Sequence, residues 1–311
     1  MSFSCKEEVV FYDTLNETNV YSGASELSQI DFVNNQLGFA IGFNGTVLKT
    51  NNGGSLWSVI SGFDSKINFN SLSIVEDSII FISGRSITFN DKALYKSIDY
   101  GNSWSELTVS NVNELDQTHF VSKNIGYSVS SWDLLKTVNG GISFQPIVLS
   151  NNFRTHKIYF LNPLKGLAYS DDYEIRYTFD GGATWSVSSN DYAEFYYVND
   201  FDMNVNGVGV IVDEHGSVIT TSNYGENWSK DYKPTADNMK DVALLTVQII
   251  DNTIITSGAY TIAFSDDMGF SWKTYYDQEV RSIYYKDFHF FDKKNGLGIR
   301  GNSIFKISKV D

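Results

Sequence analysis

Six variants of one short turn recur along the chain, and their spacing constrains the fold more than any other feature. Residues 50–57, 97–104, 137–144, 178–185, 221–228 and 265–272 each carry Ser or Thr first, Asp or Asn third, Gly fifth and Trp or Phe last. The closing aromatics, Trp57, Trp104, Phe144, Trp185, Trp228 and Trp272, stand 40 to 47 residues apart, the period of a four-stranded propeller blade. The turn's chemistry is legible. Its carboxylate or amide oxygen can accept hydrogen bonds from the turn's own amides, its Gly supplies a left-handed backbone, and its aromatic returns as an apolar anchor. A feature present in every repeat marks no single site, so Asp99, Asp180 and Asp267 read as structural.

The segments between turns repeat as well. In the first repeat Gln29–Val33 reads as an inner strand, Leu37–Gly42 as a second, Thr46–Thr50 as a third, and the strand carrying Trp57 as the fourth. The order recurs over 71–104, 117–144, 157–185, 198–228 and 243–272, giving six blades. The remainder supplies three more strands, Asp287–Phe291, Gly296–Ile299 and Ser303–Ile307, but no turn and no fourth strand. An extended segment around Asn19-Val20-Tyr21 is free to complete that last blade beside Ile304 and Phe305. We therefore expect an all-β, seven-bladed propeller of four-stranded antiparallel blades over 19–311, closed by its N-terminal strand and preceded by a tail over 1–18. Such closure leaves no terminal blade unpaired.

The shared pattern resembles the Asp-box (BNR) repeat of sialidases, xyloglucan-cleaving glycosidases and the photosystem II stability and assembly factor family. The single ring and the Gly-aromatic pair after the inner strand, as at Gly38-Phe39, make the assembly factor family the nearest likeness. That resemblance implies a binding platform. The arginine-rich surface associated with that family's role is missing from this chain, so only the fold and the general mode of action carry over. Sialidases grip a carboxylate with an arginine cluster; this chain has five arginines and no Arg-Ile-Pro motif ahead of its first repeat. The xyloglucan-cleaving relatives pair two propellers around a cleft, whereas one ring is encoded here.

Composition narrows the partners. A net charge of −14 argues against nucleic acid and anionic membrane surfaces, and no stretch is apolar enough to span a bilayer. The single cysteine, Cys5, can form no intrachain disulfide. With a small residue before it and a polar tether after it, it resembles the processed end of a bacterial lipoprotein, the plainer alternative being an incidental Cys in a disordered tail. An extracytoplasmic protein with a lipid anchor at Cys5, acting as a monomer, is the expectation.

Function must lie where the repeats differ. One polar column in the inner strands reads Asp31, Ser73, His119, Tyr159, Asp200 and His289, on the face opposite Phe32, Ile74, Phe120, Phe160, Phe201 and Phe290. It either lines the central channel or is spent in hydrogen bonds between blades. A second variable set comes from the turns between second and third strands: Phe43-Asn44, Arg85, Trp132-Asp133, Asp171-Asp172-Tyr173, Asp213-Glu214-His215, Tyr260 and Arg300. Acids interleaved with aromatics suit a glycan or a protein face equally. Hydrolysis of a neutral glycan would need two spaced carboxylates, which Asp31, Asp133, Asp171, Asp172, Asp213 and Glu214 could supply, with Asp172 and Asp213 as the nominees. His119, His156, His215 and His289 are too scattered for a metal set, although His119 and His289 share the column. No phosphate loop or nucleophile motif is present. The reading is thus a non-catalytic binding or scaffolding propeller, without cofactor or metal, whose rim recognises an envelope or surface protein or a glycan; the alternative is a glycoside hydrolase or carbohydrate-binding protein.

Overall fold

Apolar residues alternate with polar ones in the inner strands, whereas the second strands are mainly apolar or small, and this difference orders the layers of every sheet. In the first blade, Ile30 and Phe32 are buried while Gln29 and Asp31 are half-buried, and Gly38–Gly42 is buried along its whole length. A strand covered on both faces needs this continuous run; a strand facing a channel alternates. The fourth strands of blades 1 to 4, such as Ser58–Val59 and Ser105–Glu106, are short and largely exposed at the outer edge.

The computed structural model describes residues 8–12, 15–88, 92–149, 153–190, 197–232, 234, 242–259, 261–276 and 284–309. These form seven sheets. Blades 1 to 6 begin with inner strands Leu27–Phe32, Ile67–Val75, Gln117–Phe120, Thr155–Phe160, Val198–Met203 and Leu244–Ile250, and each continues through three antiparallel neighbours. Blade 7 contains Asp287–Phe290, Asn295–Arg300 and Ser303–Ser308, with Asn16–Ser22 as its outer strand. Asn19 pairs with Phe305 and Tyr21 with Ile304, so the expected closure holds.

Two recurring glycines explain how blades pack. Across the first strand pair, Phe32 lies opposite Gly38, Phe120 opposite Gly126, Phe160 opposite Gly166 and Phe290 opposite Gly296. A methyl group on Gly166 would sit 2.2 Å from the Phe160 ring, so the aromatic occupies the space a side chain would need. The fifth-position Gly of each repeated turn abuts the preceding blade instead: Gly101 meets Phe39, Gly182 meets Ile147, and Gly54 of blade 1 meets Leu297 of blade 7.

Consecutive blades share apolar cores. One cluster joins Phe39 and Ile41 to Phe69 and Leu72, and another joins Val210 and Val212 to Val247 and Ile254. The last brings Leu27, Ile30 and Trp57 of blade 1 against Leu297, Ile299 and Ile304 of blade 7 and so shuts the ring.

The N-terminal segment departs from expectation. Residues 1–18 were assigned to a tail, yet Asn16 already pairs with Ser308, and Glu8–Tyr12 adds a fifth, parallel strand to blade 6 beside Ser271–Tyr275. Ser189–Asn190 likewise runs parallel to the outer strand of blade 5. Both occupy exposed sheet edges whose backbone groups would otherwise lack partners. Cys5, Tyr260 and most of the two long loops at 86–92 and 233–241 lie outside the described residues.

Candidate functional site

The six repeated turns lie along one rim and share one hydrogen-bond plan. In the fourth blade, Thr178 Oγ1 accepts the Gly182 N–H (2.9 Å) and donates to Asp180 Oδ1 (2.8 Å), while Asp180 Oδ1 accepts the Thr184 N–H (2.8 Å). The same three bonds recur from Ser97 and Asp99 and from Ser265 and Asp267. Hydrogen bonds from the Thr184 hydroxyl and backbone hold the Asp180 carboxyl down at about 2, and those from Ser103 do the same for Asp99. These carboxylates are spent on their own turns, as the sequence indicates.

Strand register sorts the channel-facing side chains into two rows. The upper row is Gln29, Ser71, Gln117, Lys157, Asp200, Thr246 and Asp287; the lower is Asp31, Ser73, His119, Tyr159, Asp202, Gln248 and His289. Asp200 therefore leaves the column assigned to it, and Asp202 takes its place. The cause is local: in blade 5 the residue opposite the recurring glycine is Met203, not Phe201. A slip of two residues preserves the facing side, so alternation alone could not reveal it.

Both rows stitch each blade to the next. In the upper row Gln29 accepts the Leu72 N–H (2.7 Å), Ser71 the Thr118 N–H (3.0 Å), Gln117 the Ile158 N–H (2.9 Å), and Asp287 the Ile30 N–H (2.8 Å). Lys157 has no acceptor to offer, and its ammonium lies 3.3 Å from Asp200 instead. In the lower row His119 Nε2–H donates to the Phe160 carbonyl (2.8 Å), the Tyr159 hydroxyl to the Met203 carbonyl (2.9 Å), and His289 Nδ1–H to Asp31 (3.0 Å). Burial pushes the Asp287 carboxyl up to about 8 and Asp202 up to about 6, lowers His119, and raises Tyr159. The column faces the channel and is at the same time engaged in bonds between blades, so its two expected placements coincide. A cavity of about 230 Å³ remains at the channel mouth, lined by upper-row residues and Lys286.

The opposite rim carries a string of adjoining depressions across blades 1 to 5. One of about 830 Å³ is lined by Phe43, Asn70, Arg85 and Ile87, and one of about 500 Å³ by Asn70, Arg85, Asp116, Trp132 and His156. A third, about 430 Å³, is lined by His156, Lys157, Tyr169, Asp171, Tyr173, Tyr197 and Glu214. Shared walls at Asn70, Arg85 and His156 set them side by side along the rim as a segmented groove. Three of its aromatics have left-handed backbones: Trp132 (φ 79°), Tyr173 (φ 62°) and Tyr197 (φ 40°). Bulky residues seldom adopt such angles. Trp132 is 48% exposed, with its ring 4.5 Å from that of His156, and Tyr173 meets Tyr197 edge to face at 5.3 Å.

Charges in the groove are largely paired. Arg85 binds Asp116 and lies 3.5 Å from Glu114, and Arg154 is 3.7 Å from Asp171.

The remaining nominated residues fall elsewhere. Asp213 is 1% exposed, and its carboxylate caps its own turn by accepting the His215 and Ser217 N–H groups (2.9 and 2.8 Å). That capping takes it out of a hydrolytic pair with Asp172, which is exposed on the turn. Arg300 contacts Glu17 (3.5 Å) and stacks 4.0 Å over Phe305, tying the closing strand to blade 7 rather than facing a ligand. Asp133 is exposed at the start of its strand, and His215 is half-buried. Residues absent from the rim set, His156, Tyr169 and Tyr197, belong to the strands and connections entering blades 4 and 5, which a comparison of second-to-third-strand turns passes over. Among the described residues no group of His, Cys, Asp and Glu could hold a metal ion, and no helix is long and apolar enough to cross a membrane.

Ring, stitches and grooved rim together define a closed seven-bladed β-propeller. No family model matches the chain, and no curated protein matches it. Solved structures do. The fold is similar to that of YCF48 bound to a D1 peptide (TM-score 0.75, 17% identity, covering 98% of this chain and 100% of that one) and of YCF48 from Cyanidioschyzon merolae (0.73, 17%, 94% and 98%). It is also similar to a GH74 xyloglucanase from Xanthomonas campestris (0.72, 11%, 94% of this chain), of which it spans 53%. The likeness to the YCF48 fold thus covers 98% of the chain.

Proposed function

We propose that this propeller is a non-catalytic binding or scaffolding protein whose grooved rim recognises an extended segment of a protein partner. One observation carries the reading: adjoining depressions follow the rim from Phe43 to Glu214, lined by Trp132, Tyr173 and Tyr197, whose backbones are left-handed. Rigid aromatic anchors beside charged groups are what protein-binding hot spots use. A solved structure of similar fold, YCF48, is bound to a peptide, which supports a polypeptide ligand. The commitment of Asp213 to its own turn argues against the nominated pair of Asp172 and Asp213 as hydrolytic carboxylates.

Selection of linear peptides from a displayed library tests this. Binders of the native protein are expected to lose affinity at least tenfold for a Trp132→Ala/Tyr173→Ala double variant with an unchanged melting temperature. Binders indifferent to both substitutions would overturn it, and release of reducing sugar from a neutral glycan would replace it with hydrolysis. The proposal extends to location: an extracytoplasmic protein anchored by lipid at Cys5. Mass spectrometry of the natively expressed protein is expected to find a diacylated N-terminal peptide, and an unmodified Cys5 thiol would remove the anchor.

A further inference from the structure

We propose that the depression between blades 4 and 5 is a receptor for one lysine or arginine side chain of the partner. This rests on the rim being the binding face and adds the partner's chemistry. Its walls are Tyr169, Tyr173, Tyr197 and His156, and its charged groups are Asp171, Glu214 and Lys157. The aromatic faces carry negative quadrupole potential, which attracts a cation approaching within about 6 Å of a ring centre.

The local charges point the same way. Lys157, although it lines the depression, pairs its ammonium with Asp200 at 3.3 Å, which offsets its charge there. The ion pair of Asp171 with the Arg154 guanidinium is long, 3.7 Å, and that guanidinium is largely exposed, so a better-placed cation can take its place. Glu214 is exposed beside Tyr197, and its backbone N–H is held by the Tyr197 carbonyl (3.2 Å), which fixes the turn that presents it. Burial pushes the Tyr169 hydroxyl up to about 12, so the inner wall stays a neutral aromatic at physiological pH. An anionic ligand would meet two carboxylates. A purely apolar side chain would leave them nothing to bind. At about 430 Å³ the space admits a long side chain with its first bonded neighbours. The chain's net charge of −14 steers basic partners toward it.

The test uses the intact protein labelled at tyrosine rings and titrated with Nα-acetyl-lysine methylamide, its arginine counterpart, and the isosteric norleucine compound. Saturable shifts at Tyr173 and Tyr197 are expected with the two cations, at least tenfold weaker with norleucine. Asp171→Asn and Glu214→Gln together should weaken the lysine titration about tenfold and leave the melting curve unchanged; added salt should weaken it too. Equal binding of norleucine, or a lysine titration indifferent to both carboxylate substitutions, would overturn the proposal. Failure here is separable from failure of the rim reading. Rim-binding peptides that lack basic residues, with no lysine titration, would sink the cation receptor alone. A clean lysine titration with no peptide bound to the rim would leave the receptor standing and remove the wider reading.

Discussion

Thr178 shows how much one hydroxyl can hold. It accepts the buried Gly182 N–H and donates to Asp180, so Thr178→Val keeps the shape and strands a buried donor. A loss of about 1–3 kcal/mol is expected in urea unfolding; a midpoint unchanged from the native protein would count against the turn's structural role. Asp287 makes a different kind of prediction. Its folded pKa, about 8, lies above the ordinary 3.8, so the stability it contributes is present below about pH 4 and is lost as pH rises toward 8. Asp202, raised to about 6, has the same sign at lower pH, whereas His119, lowered from 6.5, has the opposite one. Between about pH 6.5 and 8 the Asp287 contribution stands alone among these three. Melting temperatures are expected to fall across that window and to flatten in Asp287→Asn, whose amide oxygen can still accept the Ile30 N–H. At this scale the sequence was readable for the repeated turns, whose Asp and Gly positions have local geometric requirements. It was not readable for Asp213, Arg300 or Asp200, whose partners depend on buried turns, on Glu17 some 280 residues away in sequence, and on strand register.

The elements differ in what they hold together. Trp272 and Trp228 are fully buried, whereas Trp185 is only partly so despite holding the same place in its turn. Trp272→Ala is expected to cost about 3–5 kcal/mol, with Trp185→Ala costing measurably less; equal losses in matched denaturation curves would contradict the burial pattern. The closing strand is held by more than its backbone ladder. Glu17 bonds the buried Tyr285 hydroxyl and the Arg300 guanidinium, and Glu17→Ala leaves both without that acceptor. Removing residues 1–22 would expose the edge of Ser303–Ser308 and is expected to give concentration-dependent association by light scattering. A monodisperse, equally stable product would show that closure does not depend on this strand. The closing strand was legible because the last repeat lacks a fourth strand. Glu8–Tyr12 was not, since parallel addition to an already complete sheet leaves no gap in the repeat pattern.

The whole molecule is a ring in which most variable polar residues are spent on closure. Two rows of inter-blade hydrogen bonds and the shared apolar cores leave the groove across blades 1 to 5 as the surface where the repeats present different chemistry. Half of that groove was visible in the sequence, because Trp132, Asp171, Tyr173 and Glu214 sit in turns that repeat counting identifies. The other half lies outside those turns: His156 on the inner strand of blade 4, Tyr169 on its second strand and Tyr197 just ahead of the inner strand of blade 5. Hydrogen–deuterium exchange on the protein saturated with a library-selected peptide tests the central claim most directly. Protection is expected over residues 131–133, 155–157, 171–174 and 197–199, with the rim of repeated turns unchanged. Protection confined to residues 50–57, 97–104 and 137–144 would place binding on the opposite rim and contradict it.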